Sequence, residues 1–250
     1  MILTDDSAPI DRRSLLALAL AGTGAWPAAA ATPGAQAATD TPVSLTLQAT
    51  LRYWLYVPPG YAEQAEHRWP LVFFLHGSGE RGRELQRVKA HGLPKLLEAG
   101  QAVPAIVVSP QCDDDLDWDP HLLHALLLAL RTQLHIDPQR VTVTGLSMGG
   151  AGCWDWAMHY PEDLAGIAPV CGYSRPLRLA RMRAVPVRAY HGSDDTVVRP
   201  DEQRELVNAL RMDGGDADLT IYPGVGHDAW NPAYADPGLL PWLLARRRAA

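Results

Sequence analysis

Val141-Thr142-Val143-Thr144-Gly145-Leu146-Ser147-Met148-Gly149-Gly150 holds the strongest signal in the chain. The β-branched residues of Val141–Thr144 predict a short strand, and the residues after Gly150, as far as Tyr160, read as a helix. Between them Gly145–Gly149 fits G-x-S-x-G. A strand that turns straight into a helix forces strained backbone on the central serine, and side chains in place of the flanking glycines would collide there. The strain lifts the Ser147 Oγ clear of the backbone, and the helix that begins at Met148 offers its first N–H to any negative charge forming beside that oxygen.

The elements on either side repeat one theme. Leu71–Leu75 is an apolar run without alternation, which predicts a strand covered on both faces. Ala105–Ser109, Gly166–Val170, Val187–Tyr190 and Leu219–Tyr222 read as further strands, and Ser44–Ala49 with Arg52–Val57 as a leading antiparallel pair. A helical piece is expected over Glu84–Glu98, interrupted at Pro94. Another opens at Asp119-Pro120, a good N-cap followed by a first-turn proline, with leucines 122, 123, 126, 127, 130 and 134 at helical spacing. Pro200 starts a helix that Gly214-Gly215 ends, and a last one is expected near Leu239–Ala245. Strands alternating with amphipathic helices predict an α/β domain, a mostly parallel sheet of about eight strands with helices on both faces, over residues 38–250.

Several loops at strand ends carry chemistry. His76-Gly77-Ser78-Gly79-Glu80-Arg81-Gly82 follows Leu71–Leu75, and the Ser78 N–H is the expected second donor beside Met148 for an oxyanion, with Gly79 as the fallback. His76 reads as structural, and Glu80-Arg81 as an ion pair bracing the loop or a substrate contact. His191-Gly192-Ser193-Asp194-Asp195 supplies two carboxylates, either of which would hold a histidine in the correct tautomer. Of the nine histidines, His227, in Gly224-Val225-Gly226-His227 after the last strand, is the expected base.

These blocks resemble the α/β-hydrolases, in particular the branch of predicted peptidases and carboxylesterases related to phospholipase/carboxylesterase and dienelactone-hydrolase enzymes. The resemblance rests on His76–Gly82, Ser109-Pro110-Gln111-Cys112, Gly145–Gly150, Pro169-Val170-Cys171-Gly172, His191–Asp195, and Tyr222–His227 with Trp230. It implies an α/β-hydrolase fold with the triad in the order Ser147, Asp195, His227, since the acid of that family is the fifth residue of the His-Gly-x-x-Asp block. It implies esterase activity on small or carbohydrate-linked esters, and by the same analogy makes Trp118 and Trp230 walls of the substrate pocket.

Composition narrows the field. With 22 Lys and Arg against 28 Asp and Glu, the formal net charge is −6 and no basic tract crosses the body of the chain, which argues against a nucleic-acid partner. Residues 1–37 read as an export signal: Arg12-Arg13 precede a short apolar stretch and an alanine-rich segment, resembling a twin-arginine signal, with cleavage after Ala30 or Ala37. That apolar stretch is too short and too rich in Gly and Ala for a stable membrane span. A periplasmic or extracellular protein is therefore expected. Cys112, Cys153 and Cys171 match no zinc pattern, and buried apolar roles are expected for them.

The predicted activity is carboxylic-ester hydrolysis through an acyl-enzyme, a chemistry that requires neither metal nor organic cofactor. A serine peptidase with the same triad is the alternative, and a non-catalytic binding module on the same fold is a further one.

Overall fold

The computed structural model describes residues 49–64 and 66–248. The expected export signal and residues 44–48 of the expected first strand lie outside the described residues. Ala49, the last residue of that strand, is irregular.

Seven strands build one sheet: β1 (Arg52–Tyr56), β2 (Trp69–Leu75), β3 (Ile106–Gln111), β4 (Ile136–Leu146), β5 (Gly166–Val170), β6 (Val187–Gly192) and β7 (Ala217–Tyr222). Their order is β1-β3-β2-β4-β5-β6-β7. β1 runs antiparallel to β3, with Trp54 opposite Ser109, and all other pairs are parallel. The sheet thus has seven strands among the described residues where about eight are expected, and the remaining expected strand falls, but for Ala49, outside the described residues.

Among the described residues six α-helices cover the sheet: α1 (Gly92–Glu98), α2 (Pro120–Gln133), α3 (Met148–His159), α4 (Pro200–Met212), α5 (Trp230–Ala235) and α6 (Leu239–Ala245). The unalternating β2 explains the layering, because every one of its residues is buried. Leu71, Phe73 and Leu75 pack in the cluster that holds Leu123, Leu127 and Leu130 of α2, Trp154 and Trp156 of α3, and Leu206 and Leu210 of α4. Val72 and Phe74 point the other way, to Leu93 of α1, Ala233 of α5, and Leu239 and Leu243 of α6. Fully burying each of these large side chains contributes roughly 1.5–3 kcal/mol.

Helix α2 begins as its sequence dictates: the Asp119 carboxylate accepts the His121 N–H at 2.7 Å, and Pro120 occupies the first turn. The helical piece at 84–98 differs from expectation. It divides into a 3₁₀ stretch, Leu85–Ala90, and α1, and the break falls at Gly92 (φ +60°) rather than at Pro94. Pro94 sits in the first turn of α1, where a missing N–H costs no helical bond. A side chain at position 92 would meet the Phe74 ring at 2.2 Å.

Strands β3 and β4 lie on opposite sides of β2, so the chain leaves the carboxyl end of β2 in one direction and that of β4 in the other. A crevice opens where the loops diverge, at the site where parallel α/β sheets bind their ligands. The loop after β2 carries Ser78 and the turn after β4 carries Ser147.

Candidate active site

Ser147 stands between β4 and α3 at φ +52°, ψ −116°, a conformation that L-residues rarely adopt. Its N–H donates to the Val170 carbonyl at 2.9 Å, which ties the turn to β5. The glycines follow from close packing. A Cβ on Gly145 would lie 2.5 Å from the Gly149 oxygen, and one on Gly149 would lie 1.9 Å from the Leu75 oxygen. Backbone is therefore in contact with backbone where α3 crosses the end of β2.

Three distant stretches of chain meet at Ser147. His227 Nε2 is 2.8 Å from Ser147 Oγ, and His227 Nδ1 is 2.8 Å from Asp195 Oδ2. The Asp195 side chain is fully buried, while that of His227 is 19% exposed. A carboxylate beside Nδ1 fixes the proton there and leaves the Nε2 lone pair facing the hydroxyl. The other Asp195 oxygen accepts N–H groups from Val197 at 2.9 Å and Val198 at 3.0 Å. Burial works to raise the Asp195 carboxyl, but the His227 hydrogen bond and these two backbone donors outweigh it and hold the group below its ordinary value. Asp194, the rival carboxylate, is exposed and accepts a hydrogen bond from its neighbour Ser193.

Met148 and Ser78 open helical turns, so the N–H of each has no intrahelical acceptor. Both residues line the cleft of about 400 Å³ that contains Ser147, together with Arg81, Asp117, Tyr173, Val197, Val198 and Glu202. A larger hollow of about 790 Å³ adjoins it, sharing Met148, Asp117, Tyr173 and Glu202.

The loop that presents Ser78 is built on buried hydrogen bonds. The Glu80 carboxylate accepts the Gly77 N–H at 2.9 Å, and the Trp118 indole donates to the His76 carbonyl at 3.0 Å. His76 Nε2 accepts the Cys112 N–H at 3.0 Å, so the ring proton sits on Nδ1, which donates to the Gly77 carbonyl at 2.6 Å. Burial lowers the His76 pKa to about 4, which keeps the ring neutral near pH 7. Glu80 and Arg81 do not pair with each other: Glu80 supports the loop, while Arg81 pairs with Asp117 at the cleft.

The two tryptophans lie at different depths. Trp118 is 6% exposed and lines the larger hollow, away from the immediate surroundings of Ser147. Trp230 begins α5, a helix with no periodic signal in the sequence, and packs edge-on against the His227 ring with centroids 5.4 Å apart.

One residue adjoining the acid has no sequence signal beyond its membership of the 191–195 block. His191 is fully buried, and its Nε2 lies 3.1 Å from Asp195 Oδ2. Cys171, buried at the end of β5 with φ +48°, completes a group in which its sulfur, a His191 nitrogen and an Asp195 oxygen all lie within 4.8 Å of one another. Among the described residues this is the one cluster of three side chains with metal-ligating atoms, and its carboxylate is already taken by hydrogen bonds. All three cysteines are free and buried.

The sheet order, the strained serine turn and the loops at the switch point define an α/β-hydrolase fold. Residues 103–236 match the dienelactone hydrolase family, and the chain belongs to that family. It is 29% identical over 176 residues to a protein of Nocardia uniformis subsp. tsuyamanensis named "Putative esterase NocK", covering 65% of this chain and 50% of that one. It thus spans half the length of that curated relative. A solved thermostable esterase is 30% identical with a TM-score of 0.68, over 79% of this chain and 60% of its own. A ferulic acid esterase, 19% identical with a TM-score of 0.56 over 77% of this chain and 91% of its own, shares the fold. No helix among the described residues is long and apolar enough to cross a membrane.

Proposed function

We propose that the protein hydrolyses carboxylic esters through Ser147, Asp195 and His227. The observation that carries the reading is the His227 ring, with one nitrogen 2.8 Å from a buried carboxylate and the other 2.8 Å from a strained serine hydroxyl. Neutral His227 takes the Ser147 proton as Oγ attacks the ester carbonyl. The oxyanion is met by the Met148 and Ser78 N–H groups, each contributing about 3 kcal/mol. The intermediate collapses, His227 returns the proton to the departing alcohol, and an acyl-Ser147 remains. Water then repeats the sequence and releases the acid. Membership of a hydrolase family and likeness to esterases support an ester substrate, small or carbohydrate-linked.

The experiment sets p-nitrophenyl acetate against aminoacyl-p-nitroanilides. Turnover of the ester with little or none of the anilides is expected; turnover of the anilides alone would make the protein a peptidase.

We also propose that the protein acts outside the cytoplasm after loss of residues 1–37, a reading supported by Arg12-Arg13 and the alanine-rich segment behind them. N-terminal sequencing of protein recovered from the periplasm or medium should begin after Ala30 or Ala37. Recovery of the intact chain from the cytoplasm alone would refute it.

A further inference from the structure

We propose that His191 is a positioning residue for the acid of the triad: its Nε2–H, bonded to the Val198 carbonyl and lying beside the Asp195 carboxylate, keeps the turn and the acid in the pose that serves His227. The proposal rests on the Ser147–Asp195–His227 reading. Asp195 accepts three hydrogen bonds. Val197 and Val198 N–H groups reach Oδ1 at 2.9 and 3.0 Å, and His227 reaches Oδ2 at 2.8 Å. His191 Nε2 lies close beside them, 3.1 Å from Oδ2. The hydrogen bond of that nitrogen goes to the Val198 carbonyl at 2.9 Å, so one ring ties the turn whose amides hold the carboxylate and sets a polarised N–H beside the carboxylate itself.

The protonation state of His191 follows from its surroundings. Nε2 faces two acceptor oxygens and must carry a proton. Nδ1 is buried without a hydrogen-bond partner. A neutral ring leaves only a bare lone pair there, whereas an imidazolium would bury an unsatisfied N–H. The other titratable neighbours are Cys171, Asp194 and Asp228. Cys171 packs against both residues, and burial together with the Asp195 charge pushes its thiol up to about 12, so it remains an S–H, a weak donor that does not tie the Val197–Val198 turn as His191 does. Asp194 is turned to Ser193, and Asp228, beside His227, accepts from Asn231. During the reaction the carboxylate must stay ionised and fixed while His227 carries the serine proton. A buried ring that ties the turn and keeps its N–H beside Oδ2 serves both requirements.

The test compares His191→Gln, whose amide N–H can reach the place of Nε2, with His191→Leu, which fills space without a donor. Steady-state kinetics on p-nitrophenyl acetate from about pH 5 to 9 separate kcat from KM. For His191→Leu, kcat should fall on the order of tenfold with KM within about twofold. Its acid limb of kcat/KM should also move to higher pH, because a carboxylate without the positive end of the Nε2–H dipole beside it holds a His227 imidazolium more tightly. His191→Gln should stay within about threefold of the parent on both measures. Nitrogen-15 NMR of the unmutated protein should show His191 as the Nε2–H tautomer. A His191→Leu enzyme with parental kcat and pH profile, or a His191→Gln enzyme as impaired as it, overturns the proposal. So does an Nδ1–H tautomer in the parent, a result that needs no variant to fold. Failure of the underlying triad reading is seen separately, as turnover that survives Ser147→Ala.

Discussion

His227 Nε2 lies 2.8 Å from Ser147 Oγ although 80 positions of sequence separate them. The contact is made by the sheet. β4 and β7 end on the same edge, the turn after one lifts the hydroxyl, and the loop after the other brings the ring over it. The hydroxyl, the ring and the buried carboxylate then form a single hydrogen-bonded chain, and each link makes a separate demand on the chemistry.

The carboxylate link is tested by Asp195→Asn. An amide in that place favours the wrong tautomer of His227, so kcat should fall on the order of 10⁴-fold with the protein still folded. The substitution also probes stability. The folded-state pKa of Asp195 is depressed, so its ionised form stabilises the fold above the ordinary aspartate range, and that contribution is lost as pH falls through the depressed value. Thermal melts should show the gap between parent and variant closing below about pH 4. A constant gap from neutral pH into that range would contradict the assignment.

His76 makes the opposite protonation demand. It is buried neutral with its pKa lowered to about 4, against an unfolded value near 6.5. The unfolded chain therefore binds a proton before the folded one does. Stability from this residue is complete above about pH 6.5 and is lost as pH falls toward 4, a loss of roughly 3 kcal/mol. Urea unfolding at a series of pH values should show this slope in the parent and a shallower one in His76→Gln. Equal slopes would show that His76 does not titrate in this window.

Much of the site was legible because the glycines and the hydrophobic runs obey local rules. Val141–Thr144 announced a strand, and Gly145 and Gly149 a close crossing. Asp195 could not be separated from Asp194 on residues alone, since both follow the same strand; only the folding of Asp195 back onto the Val197 and Val198 amides distinguishes them. The extension of β4 back to Ile136, through Pro138, was hidden because proline ordinarily marks a break, and here the pairing of β2 with β4 shifts register between Trp69 and Leu71. Helix α5 is six residues long and contains a proline, too short for a period to appear. The partners of Glu80 and Arg81 come from different parts of the fold, so adjacency in sequence suggested a pair that does not form.

Gly149→Ala tests the crossing directly. Its new methyl would lie 1.9 Å from the Leu75 oxygen, and neither backbone has room to retreat. A loss of more than about 4 kcal/mol is expected, which for a chain of this size lowers the melting temperature by on the order of 10 °C or abolishes soluble expression. A melting temperature within a few degrees of the parent would mean that α3 does not approach β2 so closely.

Trp230→Ala tests what that ring supports. An edge contact that steadies His227 predicts a kcat lowered on the order of tenfold for every ester tried, with KM little changed. A loss that appears in KM, and only for particular acyl groups, would place Trp230 against the substrate instead.

The measurement that reaches furthest is reaction with a fluorophosphonate probe followed by mass spectrometry of the modified peptide. One adduct is predicted, on Ser147, at a rate that falls as His227 is protonated. Ser147→Ala should abolish the adduct and lower ester turnover by on the order of a millionfold. Labelling that persists in that variant, or an adduct mapped to a different serine, would contradict the account.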